Sequence, residues 1–128
     1  MEFNMGKFVI KKNNLGYTFN ILANNHEVIG TSGEVLSSKT TCKKSIESVR
    51  KIAPIAYLED QTTPDYEVKK NPKFEIYIDK AGEYRFRLKA FNGEPILASQ
   101  GYSAKVNCKN GIDSVRKNVI DAPVEEAE

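Results

Sequence analysis

The sequence predicts an α+β fold, a tandem duplication of one β(3)-α-β unit whose two copies share a core. Three observations carry this prediction. "CKKSIESVRK" at 42–51 returns as "CKNGIDSVRK" at 108–117, with seven of ten positions identical and a spacing of 66. Within each copy the hydrophobic period changes from two to about 3.6, the signature of strands followed by a helix. A unit of about 55 residues is also marginal alone because it buries little surface, and two copies can pool their apolar faces.

The duplication extends well beyond the ten matched residues. Lys7-Phe8 aligns with Lys73-Phe74, Ile10 with Ile76 and Gly16 with Gly82, all at a spacing of 66. The second copy then carries one extra residue, Glu83, so Tyr17, Phe19 and Ala23 align with Tyr84, Phe86 and Ala90. "GEVLSS" in the first copy restores the register before the helix. Compensating one-residue changes of this kind fall in loops or bulges, where they cost least.

Each element has a local reason. "KFEIYIDK" alternates Phe74, Ile76 and Ile78 against Glu75, Tyr77 and Asp79, a half-buried strand. "DKAG" supplies a hairpin turn in which Gly82 is free to take positive φ. "YRFRLKA" points Tyr84, Phe86, Leu88 and Ala90 inward and Arg85, Arg87 and Lys89 outward. Asn92-Gly93 marks the next hairpin and "PILAS" the third strand. The first copy repeats the plan as "KFVIKK", "YTFNILA", "NNHE" and "EVIGTS".

Cys108, Ile112, Val115 and Val119 then follow at spacings of four, three and four, one face of a helix. Asn107, and Thr41 in the first copy, are the expected N-caps. Pro54 and Pro123 lie past the helix ends, and "AYLED" and "APVEE" close the units. The expected boundaries are 1–60 and 73–128, with 61–72 as a polar linker. Together they form one compact pseudo-twofold domain, expected to be a monomer because the duplication meets its own pairing needs.

Bulk properties exclude several functional classes. The 19 basic and 17 acidic residues balance to +2. That excess is small for a nucleic-acid binder. No apolar run approaches the roughly 20 residues of a membrane span, and "MEFNMGKFVIKKNN" lacks the apolar core of a secretory leader. The expected location is cytoplasmic. Two cysteines at equivalent helix positions read as packing groups rather than a disulfide framework.

The hairpin "DKAGEYRFRLKA", with "NGEPILASQGYS" and "KNGIDSVRKN", resembles the repeat of the YegP-like family. These are small bacterial proteins of unknown function, often tandemly duplicated. The resemblance covers essentially the whole chain, residues 7–60 being a more diverged copy. It implies one continuous antiparallel sheet, both helices on one face and closing strands exchanged between units. It implies no activity. The first copy departs from the pattern where "NNHE" replaces "NGE", and where Ser45 stands in place of Gly111. If Gly111 lets the helices approach closely, serine is small enough to keep that contact.

The residues that could carry chemistry are few. His26, the single histidine, has no nucleophile or ligand set beside it and reads as a turn residue. No glycine-rich phosphate loop, metal-ligand spacing or paired catalytic carboxylates are visible, so no cofactor and no enzyme are expected. Two surfaces remain. On the sheet, Tyr77, Arg85, Arg87 and Lys89 form a basic-aromatic strip, although Glu75 and Asp79 opposite them favour a ladder of cross-strand ion pairs. On the helices, Lys43, Lys44, Arg50, Lys51, Lys109, Arg116 and Lys117 outnumber Glu47 and Asp113. The leading expectation is a non-enzymatic module holding a protein or small ligand on the sheet face or at the seam between units. The alternative is weak nucleic-acid binding through the basic helix faces.

Overall fold

The computed structural model describes residues 6–127. The expectation about a leader segment rests partly on residues 1–5 and lies outside the described residues, as does the last residue of the acidic tail. The first unit contains β1 (Lys7–Asn13), β2 (Gly16–Leu22), β3 (Val28–Thr31), α1 (Lys39–Ile52) and β4 (Tyr57–Asp60). The second repeats it as β5 (Lys73–Ile78), β6 (Tyr84–Lys89), β7 (Pro95–Ala98), α2 (Lys105–Asn118) and β8 (Val124–Glu126). All eight strands join one sheet in the order β4-β5-β6-β7-β3-β2-β1-β8.

Each unit opens as an antiparallel meander, and the meanders meet at β3 and β7 through the pair Thr31↔Ala98. These two residues are also equivalent in the repeat, so the pseudo-twofold axis passes beside them. The closing strands are exchanged. β4 lies parallel to β5 of the second unit, and β8 lies parallel to β1 of the first. A helical crossover delivers the following strand parallel rather than antiparallel. The sheet is thus antiparallel through its six inner strands and parallel at its two edges, which makes it mixed.

Both helices cover one face, and both straddle the seam. α1 lies over β1, β2 and, across the axis, β7; α2 lies over β6 and β3. The core between them is closed and apolar. Phe8, Phe19, Phe74 and Phe86 are fully buried, and the pairs Phe8–Phe19 and Phe74–Phe86 meet edge to face at 5.9 and 5.7 Å. Cys42 and Cys108 are free and buried within it. Burial, with a smaller contribution from Asp60, pushes the Cys108 thiol up to about 11, so it packs as a neutral group.

Three local expectations need correction. The helices begin one turn earlier than Thr41 and Asn107 imply. Ser38 caps α1 by accepting a hydrogen bond from the Thr41 N–H at 3.1 Å, while Ala104 opens α2 without a side-chain cap. Gly111 does not serve helix–helix contact either. A Cβ there would stand 2.5 Å from the Tyr102 hydroxyl and 3.2 Å from Phe86 Cε2. The residue bridging at the equivalent place in the first unit is Leu36, shorter than tyrosine, which is why Ser45 fits there. His26 does take positive φ, at 69°, in its hairpin turn.

The linker is the third correction, because it is more than a tether. On the sheet face away from the helices, Glu59, Lys73 and Glu75 are all less than 9% exposed. Residues 61–72 run back past them, and the Lys69 N–H donates to Glu59 Oε1 at 2.7 Å. No helix in the described residues is long and apolar enough to cross a membrane.

Candidate functional site

The sheet strip is assembled as read from the sequence, but its cations are consumed. Arg85 Nε sits 2.6 Å from Asp79 Oδ2, and its Nη1 donates to the Ser99 carbonyl at 3.1 Å. Arg87 pairs with Glu75 at 2.5 Å and stacks its guanidinium 4.3 Å from the Tyr77 ring centroid. Lys89 reaches the same carboxylate at 3.3 Å. Lys73 lies between Glu75 and Glu59, at 3.3 and 2.8 Å, and Gln61 Nε2 donates to Glu59 at 2.6 Å. Burial drives the Glu59 carboxyl upward, but hydrogen bonds from Gln61, Lys73 and the Lys69 N–H outweigh it and hold it at about 2. This is a buried ionic cluster under the linker, and among the described residues each cation of the strip already faces a carboxylate.

The sequence reading missed Glu59 and Lys73. Their repeat counterparts, Glu125 and Lys7, form the same pair at 3.2 Å in the open, with Val9 and Asn20 in place of Glu75 and Arg87. A conserved pairing across the duplication was the available signal.

The helix faces divide in two. Arg50 and Arg116 are not surface cations but fasteners across the seam. Arg50 Nη1 donates to the Val119 and Ile120 carbonyls at 2.9 and 3.3 Å, and Arg116 Nη1 donates to the Ala53 carbonyl at 2.8 Å. Each therefore satisfies a carbonyl at the C-terminal end of the other unit's helix. Each also lies over a core phenylalanine of its own unit, Arg50 over Phe8 at 5.3 Å and Arg116 over Phe74 at 4.9 Å. Lys51, Lys109 and Lys117 remain exposed, while Lys43 lies 3.8 Å from Glu126. Arg116→Ala is expected to lower stability by about 2–4 kcal/mol, from one charge-assisted hydrogen bond and one cation–π contact. Lys109→Ala should stay within about 0.5 kcal/mol of wild type in the same urea titration.

Exchange is fastened at the edges too. Lys105 of α2 pairs with Asp60 of β4 at 2.9 Å, and Lys39 of α1 pairs with Glu126 of β8 at 2.7 Å.

What the seam leaves open is a pair of grooves, one on each side of the axis. The first, ≈ 280 Å³, lies between the α1 face and the second unit's β6–β7 hairpin; the second, ≈ 400 Å³, lies between α2 and the first unit's β2–β3 hairpin. Every residue lining the second has its repeat counterpart in the first. Ala23, Asn25, Glu27 and Ile29 correspond to Ala90, Asn92, Glu94 and Ile96 on the hairpins. Tyr102, Asn107, Asn110, Gly111 and Ser114 correspond to Leu36, Thr41, Lys44, Ser45 and Ser48 on the helix side. The hairpins share one turn, in which Asn25 Oδ1 accepts from the Glu27 N–H at 3.1 Å and Asn92 Oδ1 from the Glu94 N–H at 3.0 Å. Among the described residues neither Glu27 nor Glu94 has an ion-pair partner. Of the candidate site residues selected from the sequence, Lys44 alone lines either of these two grooves. A wider depression of ≈ 450 Å³ between Lys43, Lys44 and Lys51 is walled by α1 alone and encloses little.

Comparison with known proteins adds the family. The family described as "Domain of unknown function (DUF1508)" matches twice, over residues 13–60 and 79–126. Among similar curated proteins, the "UPF0339 protein in ptx operon 5'region" of Stutzerimonas stutzeri is 67% identical over 48 residues, 38% of this chain. That match spans only 43% of the Stutzerimonas protein. A UPF0339 protein of Treponema denticola is 57% identical over 54 residues, 42% of this chain and 93% of its own length. The solution structure of yegP from E. coli, a protein of unknown function, is similar over 98% of this chain and 96% of its own, with TM-score 0.78 and 29% identity. A UPF0339 protein of Shewanella oneidensis matches at TM-score 0.76 and 29% identity, covering 94% of this chain and 90% of its own.

Proposed function

This chain belongs to the family described as Domain of unknown function (DUF1508), and from that premise we propose that it is a monomeric, non-enzymatic binding module of the cytoplasm. Its ligand is a small molecule or a short protein segment held in the seam grooves. The supporting observation is that the groove occurs twice, with nine equivalent lining positions, while the core around it is closed. A hairpin and a helix from different units wall each groove, so ligand would also brace the interlocked halves. The family description names no reaction, and the grooves offer amides, hydroxyls, carboxylates and the Lys44 ammonium without a nucleophile–base pair.

A heteronuclear NMR titration of the intact chain against a library of small metabolites tests this reading. Saturable shifts are expected at Asn25, Glu27 and Asn110, or at Asn92, Glu94 and Lys44. A library that leaves both sets unmoved, with no ligand retained in native mass spectrometry of protein from its own host, contradicts it.

A further inference from the structure

The two grooves share a plan but not a chemistry. The α1 groove carries Lys44, Thr41 and Ser45 where the α2 groove carries Asn110, Asn107 and Gly111. The α2 groove therefore has no cation in its lining. It has three asparagines, one hydroxyl on Ser114, the Tyr102 phenol and the single carboxylate of Glu27.

An asparagine amide offers two donors and an acceptor from one planar group, and a hydroxyl likewise donates and accepts. Such a surface matches a ligand whose own groups do both, spaced closely along a ring. An anion would find no positive charge in this lining, Lys117 standing only in the adjoining depression. An apolar ligand would strand the amides. The Glu27 carboxylate accepts only, and two adjacent hydroxyls can donate to its two oxygens together. Burial, reinforced by Cys108 and Glu27, pushes the Tyr102 phenol upward, so it stays a neutral donor. The depression continues along α2 past Asn24 to Asn118, where Asp113 and Lys117 also line it. Asn118 Nδ2 donates to the Ser114 carbonyl and hydroxyl, and its Oδ1 is buried with no partner among the described residues.

We infer that the groove between α2 and the β2–β3 hairpin is a binding site for a neutral polyhydroxylated ligand, a saccharide of one or two rings. The site rests on the binding role proposed above and narrows it to one groove and one ligand class. Its floor is Ala23, Ile29 and Gly111, with the Tyr102 phenol filling the space that a side chain on Gly111 would take. Its rim is Asn25, Asn107, Asn110 and Glu27.

The full chain is titrated with glucose, N-acetylglucosamine, maltose and cellobiose, with spermidine and inorganic phosphate as charged probes, and backbone amides are followed. At least one saccharide is expected to shift Asn25, Glu27, Asn107 and Asn110 saturably, with a Kd on the order of 1 mM. Asn110→Lys, which installs the residue the other groove already carries, should weaken binding at least about tenfold with the melting temperature unchanged. Glu27→Gln should weaken it while leaving the fold intact. Shifts that saturate only with spermidine or phosphate overturn the saccharide assignment and leave the binding role standing. No response to any of the four saccharides overturns it equally. The binding role itself falls only if both charged probes and the metabolite library also leave both grooves unmoved.

Discussion

Replacing Lys73 by Met is expected to cost about 3–5 kcal/mol at neutral pH, the loss that follows when one partner leaves a buried ionic cluster. Among the described residues its ammonium is the one group in contact with both Glu59 and Glu75, whose side chains are 2% and 3% exposed. Without it, Glu59 keeps Gln61 and the Lys69 N–H but no countercharge, and its desolvation is no longer offset. The pH dependence sets this apart from simple loss of packing. The Glu59 carboxyl stands at about 2 when folded, against an ordinary 4.5. A depressed carboxyl contributes stability that is fully present above the unfolded value and is lost as pH falls through the folded one. The wild type should therefore lose stability between pH 4.5 and about 2. In Lys73→Met the Glu59 carboxylate has lost its ammonium partner and is held down less, so the gap between variant and wild type narrows over that range. Urea unfolding at several pH values reads this out. A deficit that is constant with pH would mean that Lys73 acts through its methylenes alone.

The second large effect is expected at the axis. Gly30 and Leu97 are equivalent positions of the repeat, and both are buried on the core side of the seam strands. A Cβ on Gly30 would stand 3.1 Å from Leu97 Cγ and Cδ1. Two large side chains cannot share this space, and the duplication resolves the conflict by keeping one leucine and one glycine. Leu97→Ala should cost about 2–5 kcal/mol through the cavity it leaves. Gly30→Leu should cost about 1–3 kcal/mol by overpacking. Gly30→Leu combined with Leu97→Ala puts back the lost volume. The double variant should be more stable than the two single losses added together, with a coupling of at least about 1 kcal/mol in thermal or urea unfolding. Strict additivity would show that the two positions do not compete for one space.

Much of this architecture was legible in the residues because its signals are local. Phe74, Ile76 and Ile78 alternate as a strand must, and Cys108, Ile112, Val115 and Val119 fall on one helical face. Asn92-Gly93 and the pair His26 and Gly82 sit in the turns their conformations suit. What the sequence reading missed is non-local. Ser38 caps a helix one turn before the apolar stripe starts, where nothing periodic marks the boundary. Arg50 and Arg116 look like ordinary helix-surface cations, since only the packing of the other unit shows which carbonyls they reach. Lys73 and Glu59 belong to strands from different units, and an expectation of outward-facing charge could not foresee the linker covering them. The grooves needed the repeat superposed on the structure, because each is walled by segments that are remote in the chain.

Strand exchange, the helix arginines and the ion pairs Lys105–Asp60 and Lys39–Glu126 all make each half depend on the other. Residues 68–128 expressed alone test this dependence most directly, by sedimentation and thermal melting across a range of concentrations. The expected result is no folded monomer, with a cooperative melt seen only in a dimer whose midpoint rises with concentration. A monomer that melts cooperatively at a midpoint independent of concentration would contradict it.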